Sequence, residues 1–167
     1  MIQGVPDDQR AGQRGAVDRV AVVRRQARQT LAIAVVFAIG APVVALFHHD
    51  TGTWLPLHVF LVGGVLAAIS GAAPMLAVTW SASPAPSAVL AGVQRWVLAC
   101  GAVAITVGRE TGHTPLVAFG GTAVMVALVL LGVILLTIRR HVTTTRYMPA
   151  IDAYLVAVVL GIGGSAL

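Results

Sequence analysis

Five histidines, one cysteine and six carboxylates carry the side chains of this chain that could ligate a metal, move a proton or attack a carbon centre. The histidines are His48, His49, His58, His113 and His141. Neutral imidazole is the commonest side-chain ligand of protein metals and of haem iron, so their placement decides most of what chemistry is open. No nucleophilic triad, carboxylate pair, phosphate-cradling loop or two-metal cluster can be assembled. Glu110 is the single glutamate, Asp50 and Asp152 fall on opposite sides of the topology derived below, and Gly161-Ile162-Gly163-Gly164 lacks the strand-to-helix setting of a dinucleotide motif. Cys100 stands alone in an apolar run, which excludes a disulfide framework or a CxxC pair and reads as core packing. Met1, Met75, Met125 and Met148 are scattered rather than grouped as a copper-transport motif requires.

The elements that must position these residues follow from composition. The chain has 167 residues, 57% hydrophobic and 10% charged, with a mean hydropathy of +0.89. A soluble domain carries roughly 25% charged residues, so a free-standing cytosolic globule is excluded. The sequence predicts an all-α, polytopic transmembrane helical bundle of about five spans. At 1.5 Å per residue the apolar runs 30–47, 55–80, 88–107, 115–138 and 150–167 are read as the spans, behind a basic tail over 1–29. The tail opens loosely with Gly, Pro and Asp, and from about Ala16 its pattern allows a helix that runs into the first span. A secretory signal is the rival reading of the first span. A long, partly acidic leader and the lack of an Ala-x-Ala site favour a retained anchor. Breaks come from the prolines of Ser81–Ser87, from the polar turn 108–114 with Pro115 opening the next helix, and from the three Arg of 139–149. The stop at Gly-Ser-Ala-Leu, without a polar flank after the fifth run, suggests a truncated product or fragment.

Arginine counting sets the orientation. Residues 1–28 hold six of the eleven Arg and the connection 139–149 holds three, against Arg109 alone among the loops of the other side. The positive-inside rule therefore predicts a cytoplasmic N-terminus in a bacterial inner membrane. It places His48, His49, Asp50, Trp54, His58 and His113 at the outer surface and His141 at the inner one. The pI near 11.1 has the same origin, and no nucleic-acid partner is expected; the partners implied are the lipid bilayer and, beyond it, further transmembrane helices or a redox protein.

Within the second span Gly63, Ala67 and Gly71 recur every four residues, as do Gly64, Ala68 and Ala72, the small-xxx-small pattern of close helix packing. The competing explanation is compositional, since a chain with 18 Gly produces such spacings by chance. Arg95 falls inside the third span and Asp152 at the start of the fifth from the same side, so either the two pair between helices or Arg95 snorkels to the interface. His58 is the best-placed candidate ligand for haem or copper, with His48, His49 and His113 as further candidate metal ligands. The alternative is that all four are interfacial or solvated. At 100° per residue His58 shares a face with Val62, Val65, Ile69 and Leu76, about opposite Ala67. Either that face meets lipid, or it meets helices outside this chain.

The run Leu57-His58-Val59-Phe60-Leu61-Val62-Gly63-Gly64-Val65-Leu66-Ala67-Ala68-Ile69-Ser70-Gly71, continuing to Trp80, resembles the second-helix region of the NnrS-like membrane proteins. It is also similar to the multi-span N-terminal membrane region of actinobacterial copper oxidases and copper nitrite reductases. His58, Gly63, Ala67, Ile69, Gly71 and Trp80 carry the match. The resemblance implies a membrane module of a copper, nitric oxide or nitrite related redox system, with His58 as a haem or copper ligand and no catalysis by this chain alone. The chain departs from those families in having about half their spans and no cupredoxin domain. The reading from a different class is a structural subunit that packs against a larger complex and binds no cofactor.

Overall fold

The computed structural model describes residues 7–47 and 52–141, together with Pro149, Asp152, Ala153, Val156 and Ala157. Helix α1 (Asp7–Ala45) is continuous from the basic tail into the first apolar run, starting nine residues before the expected Ala16. The second rod, Trp54–Ser81, is built from α2 (Trp54–His58), a π-helical stretch (Val59–Val65) and α3 (Leu66–Ser81). Helices α4 (Ala88–Glu110) and α5 (Thr114–Arg140) follow, and no strand occurs among the described residues. Four helices among the described residues are long and apolar enough to cross a membrane. Five spans were expected, and this count is four. The fifth run, 150–167, lies outside the described residues except for the four helical positions Asp152, Ala153, Val156 and Ala157.

The rods run up and down, and their local chemistry explains where each ends. Ala82 stops α3 in the left-handed conformation, φ 53°, after which Pro84 and Pro86 exclude further helix. Ser87 then caps α4, its hydroxyl accepting from the Leu90 amide. The three-residue connection from Thr111 to His113 turns through Gly112, φ 69°, and Pro115 sits in the first turn of α5. That short connection makes α4 and α5 an antiparallel hairpin, and the core is centred there and on α3, with Leu98, Ala127, Leu131, Leu135 and Ile138 almost wholly buried.

One end of the bundle collects the arginines. The 81–87 turn is held from both sides there. Arg19 donates to the Ala82 carbonyl at 3.3 Å, Gln26 Nε2 donates to the Pro86 carbonyl at 3.3 Å, and the Ser83 hydroxyl donates to the Ile138 carbonyl near the end of α5 at 3.3 Å. The Ser81 hydroxyl lies 2.8 Å from that of Ser83, so both buried serines are satisfied. These bonds bring the basic half of α1 beside the end of α5 that carries Arg139 and Arg140. Replacing Ser83→Ala removes a buried donor to a helix-end carbonyl and is expected to cost about 1 kcal/mol, measured by thermal or detergent unfolding of the purified protein.

Deeper in the bundle the only buried amide side chain among the described residues, Gln94, donates to the Ser70 hydroxyl at 3.2 Å across α4 and α3. A polar pair in an apolar interior must satisfy itself, and such a bond fixes the rotation of one helix against the other.

Candidate functional site

The end opposite the arginines brings together Trp54, His58 and Arg109. The Trp54 and His58 rings stack, with centroids 4.5 Å apart and planes 16° from parallel. They are four residues apart on α2, neighbours on one helical face. The Arg109 guanidinium, from the last turn of α4, stands 5.5 Å from the Trp54 ring centroid. At an exposed interface that cation–π contact is worth about 0.5–1 kcal/mol, enough to seat the start of α2 against the end of α4.

His58 is half-buried, and its Nε2 is the buried side-chain polar atom that finds no hydrogen-bond partner among the described residues. An unsatisfied buried nitrogen costs about 1–3 kcal/mol unless water, an ion or a ligand meets it. The uniform helical wheel set His58 opposite Ala67, and the π stretch changes that relation. It takes one residue more than an α turn, about 100° of phase, so His58 moves from about 180° to about 80° from Ala67. The outcome is visible in burial. Val65 and Ile69, expected on the face of His58, are exposed at 37% and 44%, while Leu55 and Val59 around the histidine are buried.

The small residues of this rod sit against α1. A Cβ at Gly63 would fall on the Phe37 ring, one at Gly71 would lie 3.1 Å from Thr30 Cβ, and Ala67 is 2% exposed. Gly64 meets the backbone of α1 at Ala38.

The other sequence-derived site residues do not converge on His58. His113 is exposed at the N-cap of α5, and its backbone amide donates to the Gly108 carbonyl. His48 and His49 lie outside the described residues. Among the described residues no three His, Cys, Asp or Glu side chains are grouped to hold a metal ion. Cys100, expected in the core, is exposed, because it faces the open side of α4 rather than α5. Arg95 and Asp152 do not pair with each other. Arg95 donates to the Gln26 carbonyl at 3.5 Å, and Asp152 takes Arg139 at 2.7 Å in a half-exposed ion pair. Arg139 lies in the last turn of α5, thirteen residues from Asp152, so a local pair forms in preference to a bridge to α4.

Two features escaped the sequence reading. Trp54 and Arg109 were each placed at the outer end but not joined; the signal was a lone outer arginine and an aromatic ring at the same interfacial depth. The second is the glycine seam between α4 and α5. A Cβ at Gly120 would lie 2.6 Å from the Ile105 nitrogen and 2.7 Å from the Gly101 oxygen, and one at Gly108 would lie 2.8 Å from the Val117 nitrogen. Gly101 and Gly108 are seven residues apart, the spacing of one coiled-coil repeat, which the four-residue small-xxx-small pattern does not contain. Against known proteins, no family model, no curated protein and no solved structure matches the chain.

Proposed function

We propose that the chain is the membrane module of a haem- or copper-linked redox protein of the NnrS-like or copper-oxidase kind, held in a bacterial cytoplasmic membrane with its arginine-bearing end inside. In this reading it is a scaffold that contributes one donor, His58, to a centre completed by groups from elsewhere. One observation carries the reading: the His58 Nε2 is buried and unsatisfied among the described residues. That atom suits a single imidazole bond to haem iron. A copper centre built from several protein donors does not fit, since no three ligating side chains gather among the described residues. Bound there, haem would supply a redox-active iron. The chain's own residues would hold it: His58 as the donor, Trp54 fixing the imidazole plane by stacking, and Arg109 placing a cation at the same end for an anionic substituent.

The absence of a ligand cluster among the described residues, together with close glycine seams on both sides of the bundle, favours a second reading. In it the chain is a packing subunit without a cofactor. Titrating the purified protein with haemin separates the two. The first reading expects one haem per chain with a Soret band that is lost in His58→Ala and kept in His113→Ala, both variants eluting as folded protein on size exclusion. No uptake by the parent, or equal uptake by His58→Ala, removes the ligand role and leaves the packing subunit.

A further inference from the structure

Helices α1 and α4 touch near the arginine-bearing end, where Arg95 reaches the Gln26 carbonyl, and diverge beyond it. The gap is a groove of about 660 Å³, open along one side. Its walls include Ala32, Val36 and Phe37 from α1, Trp96 and Val103 from α4, and Leu116 from the start of α5. The lining is almost wholly apolar. On α4 it runs from Trp96 to Val107, a rise of about 16 Å, close to the roughly 15 Å of one leaflet's hydrocarbon. Apolar lining alone does not say what fills it.

Charge at the inner mouth does. Arg25 and Arg28 are exposed on α1; Arg25 projects within about 20° of both Ala32 and Val36, two turns inward of the groove on its own face, and Arg28 stands one turn inward at the flank, about 40° from Ala32 and 80° from Val36. Arg95 stands beside Trp96 at the same depth as Gln26, which lies between Arg25 and Arg28. The nearest acid on that face of α1, Asp18, is two further turns inward. The guanidinium of Arg95 offers five N–H donors, and the bond to Gln26 uses one. Two cations, Arg25 and Arg95, therefore border the headgroup end of a slot one acyl chain long, with Arg28 at its flank. Basic sites between helices at this depth recognise phosphate headgroups.

We infer that the groove between α1 and α4 binds one anionic glycerophospholipid of the arginine-side leaflet, an acyl chain lying along Val36 and Val103 and the phosphate meeting Arg25 and Arg95. This site is independent of the His58 reading and stands even if no haem binds. A neutral, zwitterionic lipid enters the same slot less well, because its own ammonium faces the three arginines.

The test uses Trp96, which lines the groove, as the reporter. The full chain carrying Trp54→Phe and Trp80→Phe is reconstituted in bilayers of phosphatidylcholine doped with acyl-brominated phosphatidylglycerol or, in parallel, acyl-brominated phosphatidylcholine. The expected result is that Trp96 is quenched at a lower mole fraction of the brominated phosphatidylglycerol, by about fivefold or more, in line with the attraction of one basic residue for an anionic surface. Arg25→Gln, an exposed change that leaves the bundle intact, should reduce that preference, and Arg25→Gln with Arg95→Gln should abolish it. Val103→Trp, read by native mass spectrometry for retained phosphatidylglycerol, should lose the adduct with all three arginines in place. Equal quenching by the two lipids overturns the site, as does a preference that survives the double arginine change. A second copy seated in the groove, seen as a dimer that Val103→Trp disperses while lipid adducts persist, overturns it as well.

Discussion

Gly120→Val will unfold or fail to assemble the bundle, with a loss of about 3 kcal/mol or more, whereas Gly121→Ala, one residue further along α5, will be neutral or stabilising by up to about 1 kcal/mol. The contrast rests on what a side chain would meet. At Gly120 the atoms in the way are the Ile105 nitrogen and the Gly101 oxygen, backbone atoms of α4 that cannot rotate aside. Admitting even a methyl group means moving the two helices apart along the seam in which Leu98, Val124, Ala127 and Leu131 are packed. In lipid this loss is not recovered elsewhere. Helix association there depends on close van der Waals contact, because lipid tails are as apolar as the core. At Gly121 nothing lies within 4 Å of the added carbon, so the only consequence of alanine is the lower backbone entropy of the unfolded chain. Unfolding of the purified protein in mixed detergent micelles, followed by circular dichroism, reads both. Parent-like stability of Gly120→Val would mean that α4 and α5 do not cross at this glycine.

The rods were legible from the sequence because their determinants are local. Apolar runs of sufficient length, the two prolines between Ser83 and Ser87, and Pro115 at the head of α5 each act within a few residues. Arginine placement was legible for the same reason, and in the structure the basic half of α1 and the Arg139–Arg140 end of α5 share one end of the bundle. The site was less legible, because it depends on rotation about a helix axis. A wheel drawn at a constant 100° per residue carries any local change of pitch into every later residue, and the stretch Val59–Val65 introduces such a change just past His58. Gly63-Gly64 lies inside that stretch, where the rod is pressed against Phe37 and Ala38 of α1. The partner of Arg95 was illegible for a different reason. A backbone carbonyl such as that of Gln26 has no sequence signature, whereas an acid at the same depth, Asp152, does.

That pitch change supports the second large effect. Deleting Val62 should let the rod close as uninterrupted α-helix with His58 where it is, since the π stretch holds one residue more than the α ladder needs and the eight-residue separation then left between His58 and Ala67 again spans about 80°. Inserting one alanine after Val62 instead adds a second extra residue, which the rod passes on as a rotation. Residues from Gly63 onward keep their register with α3, so the seam of Gly64, Ala67 and Gly71 on α1 survives and the bundle remains assembled. Residues before the insertion turn by about 100° and retreat by about 1.5 Å. Trp54 then leaves the Arg109 guanidinium, and Leu55 and Val59 rotate out of the contacts that bury them. His58 goes with them to the face of Val65 and Ile69, which is exposed. Diethyl pyrocarbonate labelling mapped by mass spectrometry distinguishes the two states within one molecule, with the exposed His113 as internal reference. In the parent, His58 should label more slowly than His113, because Nε2 has no accessible surface. In the insertion variant the two rates should become alike, and any haem uptake that depends on His58 should disappear with them, while the deletion variant keeps the parent's rates. If His58 stays protected after the insertion, or loses its protection after the deletion, the extra residue of the π stretch does not set its rotation, and the 80° relation between His58 and Ala67 has another cause.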